Sequence, residues 1–255
     1  MDKIAISLVV ITLNEELNIR RCIESVPFVN DIVVLDSGSR DRTQEIANAL
    51  GARVFDEEWR GYALQKQRAA ELAKNEWVLS LDADEALSER AQKSLLKAYS
   101  RGLVDDCAYQ WSRRSFHLGR WINHGGWYPD RQTRLYHRNK TRWIPSDVHE
   151  RLSAEKIEKL EGDILHWVFK DLAHQVETNN RYSTLGTQVL AKKGKRFSLF
   201  LLCTKPVSKF LETYIFKKGI LDGLPGFIIS IGAAYSIFLK YAKLYEHENI
   251  KSEQK

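Results

Sequence analysis

The sequence predicts an α/β fold with a mainly parallel sheet, on the basis of three observations. Short apolar runs rich in Ile and Val recur through the first 81 residues, and a helical pattern separates most of them. Strands that alternate with helices in this way form parallel sheets with right-handed crossovers. Acidic and small residues directly follow several runs, at the edge where open α/β sheets bind ligands. With 255 residues, the chain can form a full core plus an appendage.

Each element follows from a local pattern. Residues 4–12 suit a strand buried on both faces, and Asn14 is expected to cap a helix that carries apolar residues at helical spacing from Ile19 to Val26. The later elements are predicted as a strand at 31–36, a helix at 43–50 closed by Gly51, a strand at 52–55, a helix at 62–73 and a strand at 77–81.

The strand at 77–81 ends in three carboxylates, in the order Asp82-Ala83-Asp84-Glu85. Residues two apart on an extended backbone point to the same side, so Asp82 and Asp84 can share one hard cation. A Mg²⁺ or Mn²⁺ held by one or two carboxylates takes its other ligands from a diphosphate. The alternative is that Asp82 or Asp84 caps the helix that begins near Ser88.

Asp36 ends the second strand and precedes the small turn Ser37-Gly38-Ser39. An acid at this position can accept hydrogen bonds from a ribose or a base, and the glycine lets the backbone approach a ligand. The same residues also fit an ordinary turn with an Asx hydrogen bond. The chain has neither G-x-G-x-x-G nor a Walker loop, which argues against a dinucleotide or an ATP-hydrolysing site.

Composition and charge narrow the class of protein. Three widely spaced cysteines indicate reduced thiols, and the apolar start without a cleavage site indicates a strand and not a signal peptide. Residues 170–255 carry 14 Lys and Arg against seven Asp and Glu, so the net charge of +6 belongs to the tail. These lysines are interleaved with apolar runs, which favours an anionic membrane surface over nucleic acid.

Three strand ends taken together resemble family 2 glycosyltransferases, inverting enzymes with the GT-A fold. They are Thr12 to Glu16, Asp36 to Thr43 and Asp82 to Glu85. The resemblance covers roughly residues 4–185. It implies a nucleotide-sugar-binding half at 1–102 and an acceptor half at 103–185. The basic and apolar residues of 186–255 predict a helical, membrane-associating tail. Within the family, residues 126–136, 148–150 and 166–167 resemble bacterial enzymes that add glucose to the lipopolysaccharide inner core.

The resemblance also implies roles for residues of the donor side. Asp84 would bind the metal between the two phosphates, Asp82 would approach the ribose or the metal, and His166 would complete the ligand set or be structural. The other donor-side residues implied are Thr12, Asn14, Glu15, Asp36, Ser37, Gly38 and Arg181. Lys66 and Arg68 either add positive charge near the diphosphate or are solvated helix residues.

The stretch from 108 to 151 is rich in Trp and Arg, which suits stacking on sugars and clamping of anionic groups. The acceptor residues expected there are Trp127, Arg131, Arg134 and His149. An aromatic core with a solvated basic rim is the alternative. Inverting transfer needs a general base. The candidates are Asp130, Asp147, His149 and Glu150, since the family's usual Glu-Asp pair is replaced here by His149-Glu150. Glu150 is favoured because residues 148–150 follow an apolar approach at 143–145 that suits a short strand or turn at the sheet edge, and Asp130 is second.

The tail combines a basic cluster at 192–196 with apolar runs that Pro206 is expected to interrupt. Residues 223–239 are uncharged for 17 residues, short of the roughly 20 that span a bilayer. Monotopic attachment to the cytoplasmic face of the inner membrane is therefore predicted, with a buried tail helix or a true span as alternatives. A non-catalytic nucleotide-sugar-binding protein is the rival function from another class.

Overall fold

The computed structural model describes residues 2–145 and 151–253. Two compact units are present, and each is interrupted in sequence. The sheet unit comprises Met1–Arg114 and Asp130–Trp167, and the helical unit comprises Ser115–Pro129 and Val168–Lys255. The division predicted after residue 185 falls within a helix of the second unit, and as a functional division it stays a prediction.

The sheet unit is built on the predicted parallel strands. β1 (Ile4–Thr12) pairs in parallel with β2 (Val29–Asp36) and with β4 (Trp77–Asp82), and β2 pairs in parallel with β3 (Arg53–Asp56). The helices between these strands are α1 (Ile19–Glu24), α2 (Thr43–Ala49) and α3 (Tyr62–Glu71). The mainly parallel α/β prediction is confirmed for this half of the chain.

An antiparallel extension completes the sheet. Its strands are β5 (Glu85–Leu87), β6 (Cys107–His117), β8 (Asp130–His137) and β11 (Lys156–His166), and the full order is β3-β2-β1-β4-β8-β6-β11-β5. The short strands β9 (Trp143–Ile144) and β10 (Arg151–Leu152) form a separate pair, and β7 (Arg120–Trp121) pairs with the end of β6.

Apolar residues on the two faces of the sheet form two separate clusters. Ile6, Leu8 and Val10 of β1 belong to one cluster, and Val9 and Ile11 belong to the other, as the two-residue period of a strand requires. Helices cover both faces, and α4 (Glu89–Ser100) packs on the first with Ala91 and Leu95. The core therefore fixes β1, β2 and β4 with their carboxyl ends at one edge.

Two caps differ from the predicted ones. Asn14 does not cap α1, which begins at Ile19 with Asn18 at the N-cap position. Asn14 instead has φ 57° and lies in the turn after β1. The side chain that caps α4 belongs to Ser88, which accepts from Ala91 N, so neither Asp82 nor Asp84 does so.

The helical unit contains α5 (Leu172–Lys192), α6 (Leu199–Leu211) and α7 (Gly223–Glu253), with α7 packed against both other helices. A π-helical turn (Glu212–Phe216) and a 3-10 turn (Gly219–Asp222) connect α6 to α7. Pro206 lies inside α6, so the predicted interruption is wrong. Proline removes one helical hydrogen bond and crowds the carbonyl four residues earlier, yet α6 continues through Pro206 to Leu211.

Candidate active site

The carboxyl ends of β1, β2 and β4 bring three of the predicted residues to one edge of the sheet. Thr12 is in register with Asp36, and Ile11, one residue before Thr12, is in register with Asp82. Because the three strands are adjacent and parallel, their last side chains open on the same edge.

The turn after β2 is organised by Asp36. Its carboxylate is fully buried and accepts hydrogen bonds from Gly38 N (3.0 Å), Ser39 N (2.7 Å), Ser39 Oγ (2.5 Å) and Gln44 Nε2 (2.7 Å). Gly38 has φ 91°, which a residue with a side chain rarely adopts. Asp36 therefore holds the loop in shape. Its contacts are those of the alternative interpretation, an ordinary turn with an Asx hydrogen bond.

The turn after β1 is bonded to the turn after β2. Asn14 N donates to Ser39 Oγ (2.8 Å), and Asn14 Oδ1 accepts from Arg40 N (2.9 Å). Glu15 N donates to Thr43 Oγ1 (2.8 Å). Ser37 N donates to Thr12 O (3.0 Å). The predicted donor-side residues Thr12, Asn14, Glu15, Asp36, Ser37 and Gly38 thus form one hydrogen-bonded rim.

Two buried polar atoms at this rim have no hydrogen-bond partner within the described residues. They are Thr12 Oγ1 and Gln65 Oε1. Gln65, on α3, is fully buried and donates through Nε2 to Ser37 Oγ (3.1 Å). A buried polar group without a partner is costly, so these two atoms are natural partners for a bound polar ligand.

Asp82 belongs to a series of alternating positive and negative side chains. Lys66 Nζ lies 2.8 Å from Asp82 Oδ1, and Arg134 lies 2.6 Å from Asp82 Oδ2 and 2.6 Å from Glu85. Arg113 then contacts Glu85 (3.0 Å) and Asp130 (2.7 Å). Three cations and three carboxylates therefore alternate in one network, which we call the charge network: Lys66, Asp82, Arg134, Glu85, Arg113 and Asp130.

The electrostatics of the charge network favour its ionised form. Burial alone would raise the pKa of Asp82, but the positive charges of Arg134 and Lys66 outweigh it and hold that pKa well below its usual range. Burial would lower the pKa of Arg134, and Asp82 and Glu85 raise it instead. Both partners thus stay charged at neutral pH.

This geometry changes the interpretation of two residues. Lys66 is 1% exposed and paired with Asp82, so it is not a solvated helix residue, whereas the half-exposed Arg68 pairs with Glu57. Arg134, expected at the acceptor, is 2% exposed and committed to Asp82 and Glu85. A guanidinium buried between two carboxylates is not available to clamp an acceptor, so that prediction is not supported.

Asp84 and His166 form the pair best suited to a metal. His166 Nε2 lies 3.2 Å from Asp84 Oδ2, and Trp167 N donates to Asp84 O (3.0 Å). Both oxygens of Asp82 face cations, which argues against Asp82 as a ligand. No cluster of three or more potential ligands occurs within residues 2–145 and 151–253. One carboxylate and one imidazole fit a divalent ion that takes its remaining ligands from phosphate and water.

Of the two preferred candidates for the general base, Asp130 lies within the described residues and Glu150 does not. Asp130 is partly exposed, but its Oδ2 accepts from Arg113 and its Oδ1 accepts from Gln132 (3.0 Å). Both oxygens of Asp130 therefore already accept hydrogen bonds from side chains. Glu150, together with Asp147 and the acceptor candidate His149, lies outside the described residues. Arg131, also predicted for the acceptor, is exposed on β8.

The remaining predicted residues belong to the helical unit. Trp127 is partly buried, with its ring 5.8 Å from His117 and 6.1 Å from Phe169. Arg181 is exposed on α5 and lies over the ring of Tyr182 at 5.7 Å. Their roles at the acceptor and at the phosphates stay predictions.

Sequence reasoning missed Glu85 and Arg113, which link Asp130 to Asp82. Glu85 stands directly after Asp82-Ala83-Asp84, and its position in the acidic turn alone indicates no role of its own. Arg113 shares the alternation of Tyr109 and Trp111 on β6, so its placement on a buried face was a usable signal.

Comparisons with known proteins identify the family of the chain. Residues 7–157 match the family described as Glycosyl transferase family 2. The lipopolysaccharide core biosynthesis glycosyltransferase LpsC of Rhizobium meliloti is 32% identical over 99% of this chain and 96% of its own length. An uncharacterized glycosyltransferase of Rickettsia typhi is 33% identical over 94% of this chain and 87% of its own.

Among solved structures, glucosyl-3-phosphoglycerate synthase from Mycobacterium tuberculosis, in complex with Mn²⁺ and UDP, is 27% identical with a TM-score of 0.36. The match covers 45% of this chain and 44% of that one. The matched family region contains β2, β3, β4 and most of β1, together with the acidic strand ends Asp36 and Asp82. The chain therefore belongs to glycosyl transferase family 2 and is a glycosyltransferase with a GT-A fold.

Proposed function

We propose that the protein is an inverting, metal-dependent hexosyltransferase that moves glucose from UDP-glucose to the inner-core heptose of lipopolysaccharide. The observation that carries this proposal is the edge shared by β1, β2 and β4, where Asp36, Asp82 and Asp84 follow adjacent strands. The match with LpsC over nearly the whole of both chains supports the lipopolysaccharide acceptor. Attachment to the cytoplasmic face of the inner membrane is part of the proposal.

The donor would be held at the rim. The orphaned oxygens Thr12 Oγ1 and Gln65 Oε1 offer hydrogen bonds to a nucleoside, and Asp36 holds the turn that would face it. Asp84 and His166 would hold Mg²⁺ or Mn²⁺, which stabilises the negative charge that develops on the leaving diphosphate. Arg134 and Lys66 fix Asp82, and so fix the backbone that leads to Asp84.

The acceptor hydroxyl would attack the anomeric carbon from the face opposite UDP while a carboxylate accepts its proton. We assign that proton to Glu150, since both oxygens of Asp130 already accept hydrogen bonds. Glu150→Gln should then lower turnover about 10²-fold or more and spare UDP binding. Unchanged turnover would move the role to Asp130.

The first test is UDP release by the detergent-solubilised protein with a panel of UDP-sugars, with Mn²⁺ or EDTA, and with deeply truncated lipopolysaccharide. The proposal expects release from UDP-glucose that requires both metal and acceptor. Activity only with polyprenyl phosphate would overturn the acceptor, and UDP binding without release from any donor would favour a non-catalytic binding protein.

The metal is tested separately by Asp84→Asn. We expect the variant to lose Mn²⁺ binding in calorimetry with UDP present, and to lose metal-dependent UDP release. The matched control is Asp105→Asn, an exposed acid in the same unit. Full activity of the wild-type protein in EDTA would contradict metal dependence.

A further inference from the structure

Helices α6 and α7 form an antiparallel hairpin within the helical unit. At one end, the rings of Phe197 and Tyr245 lie 4.8 Å apart, and at the other end Phe210 and Phe227 lie 5.8 Å apart. The chain reverses between them through the π-helical turn and the 3-10 turn. We call the segment 211–224 the hairpin tip.

The hairpin tip exposes large apolar side chains. Phe216 is 78% exposed, Leu224 69% and Leu221 59%. The outward face of α6 continues this surface, with exposed uncharged residues at helical spacing: Leu199, Phe200, Cys203, Thr204, Val207 and Leu211. A soluble helix normally turns such a stripe toward a core, and a large exposed apolar patch indicates a partner.

Lysines accompany the apolar surface. Lys217 and Lys218 directly follow Phe216 and are exposed, and Lys205 and Lys209 lie on α6. The pKa of Lys240 on α7 is lowered, first by burial and then by the charges of Lys205 and Lys209. Glu212 pairs with Lys209 (3.1 Å) and Lys217 (2.5 Å), but the cations outnumber it. Exposed apolar side chains beside excess lysine suit an anionic lipid surface.

The same lysines argue for a hairpin that lies in the membrane surface. Residues Gly219–Asn249 are long and apolar enough to cross a bilayer by length and composition. A crossing by the uncharged residues 223–239 would also carry the packed α6 into the hydrocarbon region, and with it Lys205 and Lys209, which lie between the ring contacts at the two ends of the hairpin. Charged side chains are costly there and are tolerated at the interface, where they reach the headgroups.

The hairpin tip also holds a loop of the same unit. Asp222 is fully buried and accepts from His124 N (2.8 Å) and Asn123 N (3.2 Å). Arg120 donates to Asp222 O (3.0 Å), and Gly125 N donates to Lys217 O (2.8 Å). These hydrogen bonds hold the loop 120–126 against the hairpin tip, so the two segments occupy the same position relative to a membrane.

We propose that the hairpin tip and the outward face of α6 insert into the interface of an anionic bilayer, parallel to its surface, and hold the loop 120–126 at headgroup level. This inference deepens the membrane attachment of the proposed function and does not depend on which sugar is transferred. The partner of this surface is a lipid bilayer. The apolar side chains insert into it, and the lysines contact the lipid phosphates.

Cys203 provides a probe at the centre of this surface. It is exposed, whereas Cys22 and Cys107 are buried, so an environment-sensitive thiol fluorophore should label Cys203 selectively in the folded protein. We expect a blue shift with vesicles that contain phosphatidylglycerol, and much less with phosphatidylcholine alone. Nitroxides near the headgroup end of the acyl chain should quench the probe more than nitroxides near its methyl end.

The matched variants separate docking from folding and from catalysis. Phe216→Ser with Leu224→Ser should weaken partitioning about 100-fold, because each exposed side chain contributes about tenfold when it leaves water. The control replaces Val104 and Ile157 by Ser, two exposed apolar residues of the sheet unit, and should partition like the wild type. In detergent, both double variants should retain wild-type UDP release.

Three results would overturn the proposal. They are equal partitioning of the hairpin-tip variant and the wild type, equal binding to both vesicle types, and strongest quenching near the bilayer centre, which would indicate a span. If vesicle docking follows the expectation but no UDP-sugar is consumed, the proposed function fails and the docking surface stands.

Discussion

Glu85 is the most informative residue to change, because it lies at the centre of the charge network. The side chain is fully buried and pairs with Arg134 at 2.6 Å and with Arg113 at 3.0 Å. It also accepts from Asp82 N (3.1 Å). Glu85→Gln keeps the size of the side chain but leaves three cations against two carboxylates in a buried place.

The expected cost follows from that imbalance. Removing one partner of a buried ion pair destabilises a protein by about 3–5 kcal/mol, since the other charge stays buried and unpaired. The free energy of unfolding of a natural domain is about 5–15 kcal/mol, so this loss is a large part of the total. With a urea dependence of about 1–3 kcal/mol per molar, the midpoint should fall by about 1 M or more.

Urea unfolding followed by circular dichroism measures this change. Glu161→Gln is the matched control, because its pair with Arg90 (3.0 Å) is about three-quarters exposed on both sides and should contribute at most about 1 kcal/mol. The double variant Glu85→Gln with Arg113→Gln restores the charge balance and should cost less than the sum of its parts. A loss for Glu85→Gln no larger than that for Glu161→Gln would refute the reasoning.

Two further predictions concern packing and pH. Gly162→Ala should destabilise the protein by at least about 3 kcal/mol, because Gly162 has φ 93° and a Cβ there would overlap the backbone of Ala91. Gly51→Ala, with φ 79° and open space around it, should cost about 1 kcal/mol in the same urea assay. Burial lowers the pKa of His117, although a hydrogen bond with Gln175 raises it. The unfolded chain then binds more protons, so stability should fall as pH drops below about 6.5. His117→Gln should flatten that dependence between pH 7.5 and 5.5, and an unchanged slope would contradict it.

Periodicity predicted the parallel half of the sheet well, because β1, β2 and β4 are buried on both faces and read as nearly continuous apolar runs. It did not predict the antiparallel extension. β11 begins with four exposed residues in succession, and the first half of β8 consists of polar residues. Such strands are specified by pairing with neighbours distant in sequence, which a local pattern does not contain.

The residues of the site also differ in how well the sequence predicts them. Strand ends located Asp36, Asp82 and Asp84, because each directly follows a recognisable strand or turn. The pairing of Asp82 with Arg134 was not predictable from spacing, since Arg134 lies 52 residues away and is brought close by the antiparallel pairing of β4 with β8.

The order in which the chain visits its two units limits how the protein can be divided. The polypeptide leaves the sheet unit after Arg114, returns to it at Asp130 and leaves it again after Trp167. Deleting residues 197–255 would therefore remove Asp222. The amides of Asn123 and His124 would remain in the shortened chain without that hydrogen-bond acceptor. We expect such a truncation to misfold and not to yield a soluble enzyme. A chimaera with a relative must accordingly exchange two separate segments of the gene, 115–129 and 168–255, because the helical unit is not a module appended at one end.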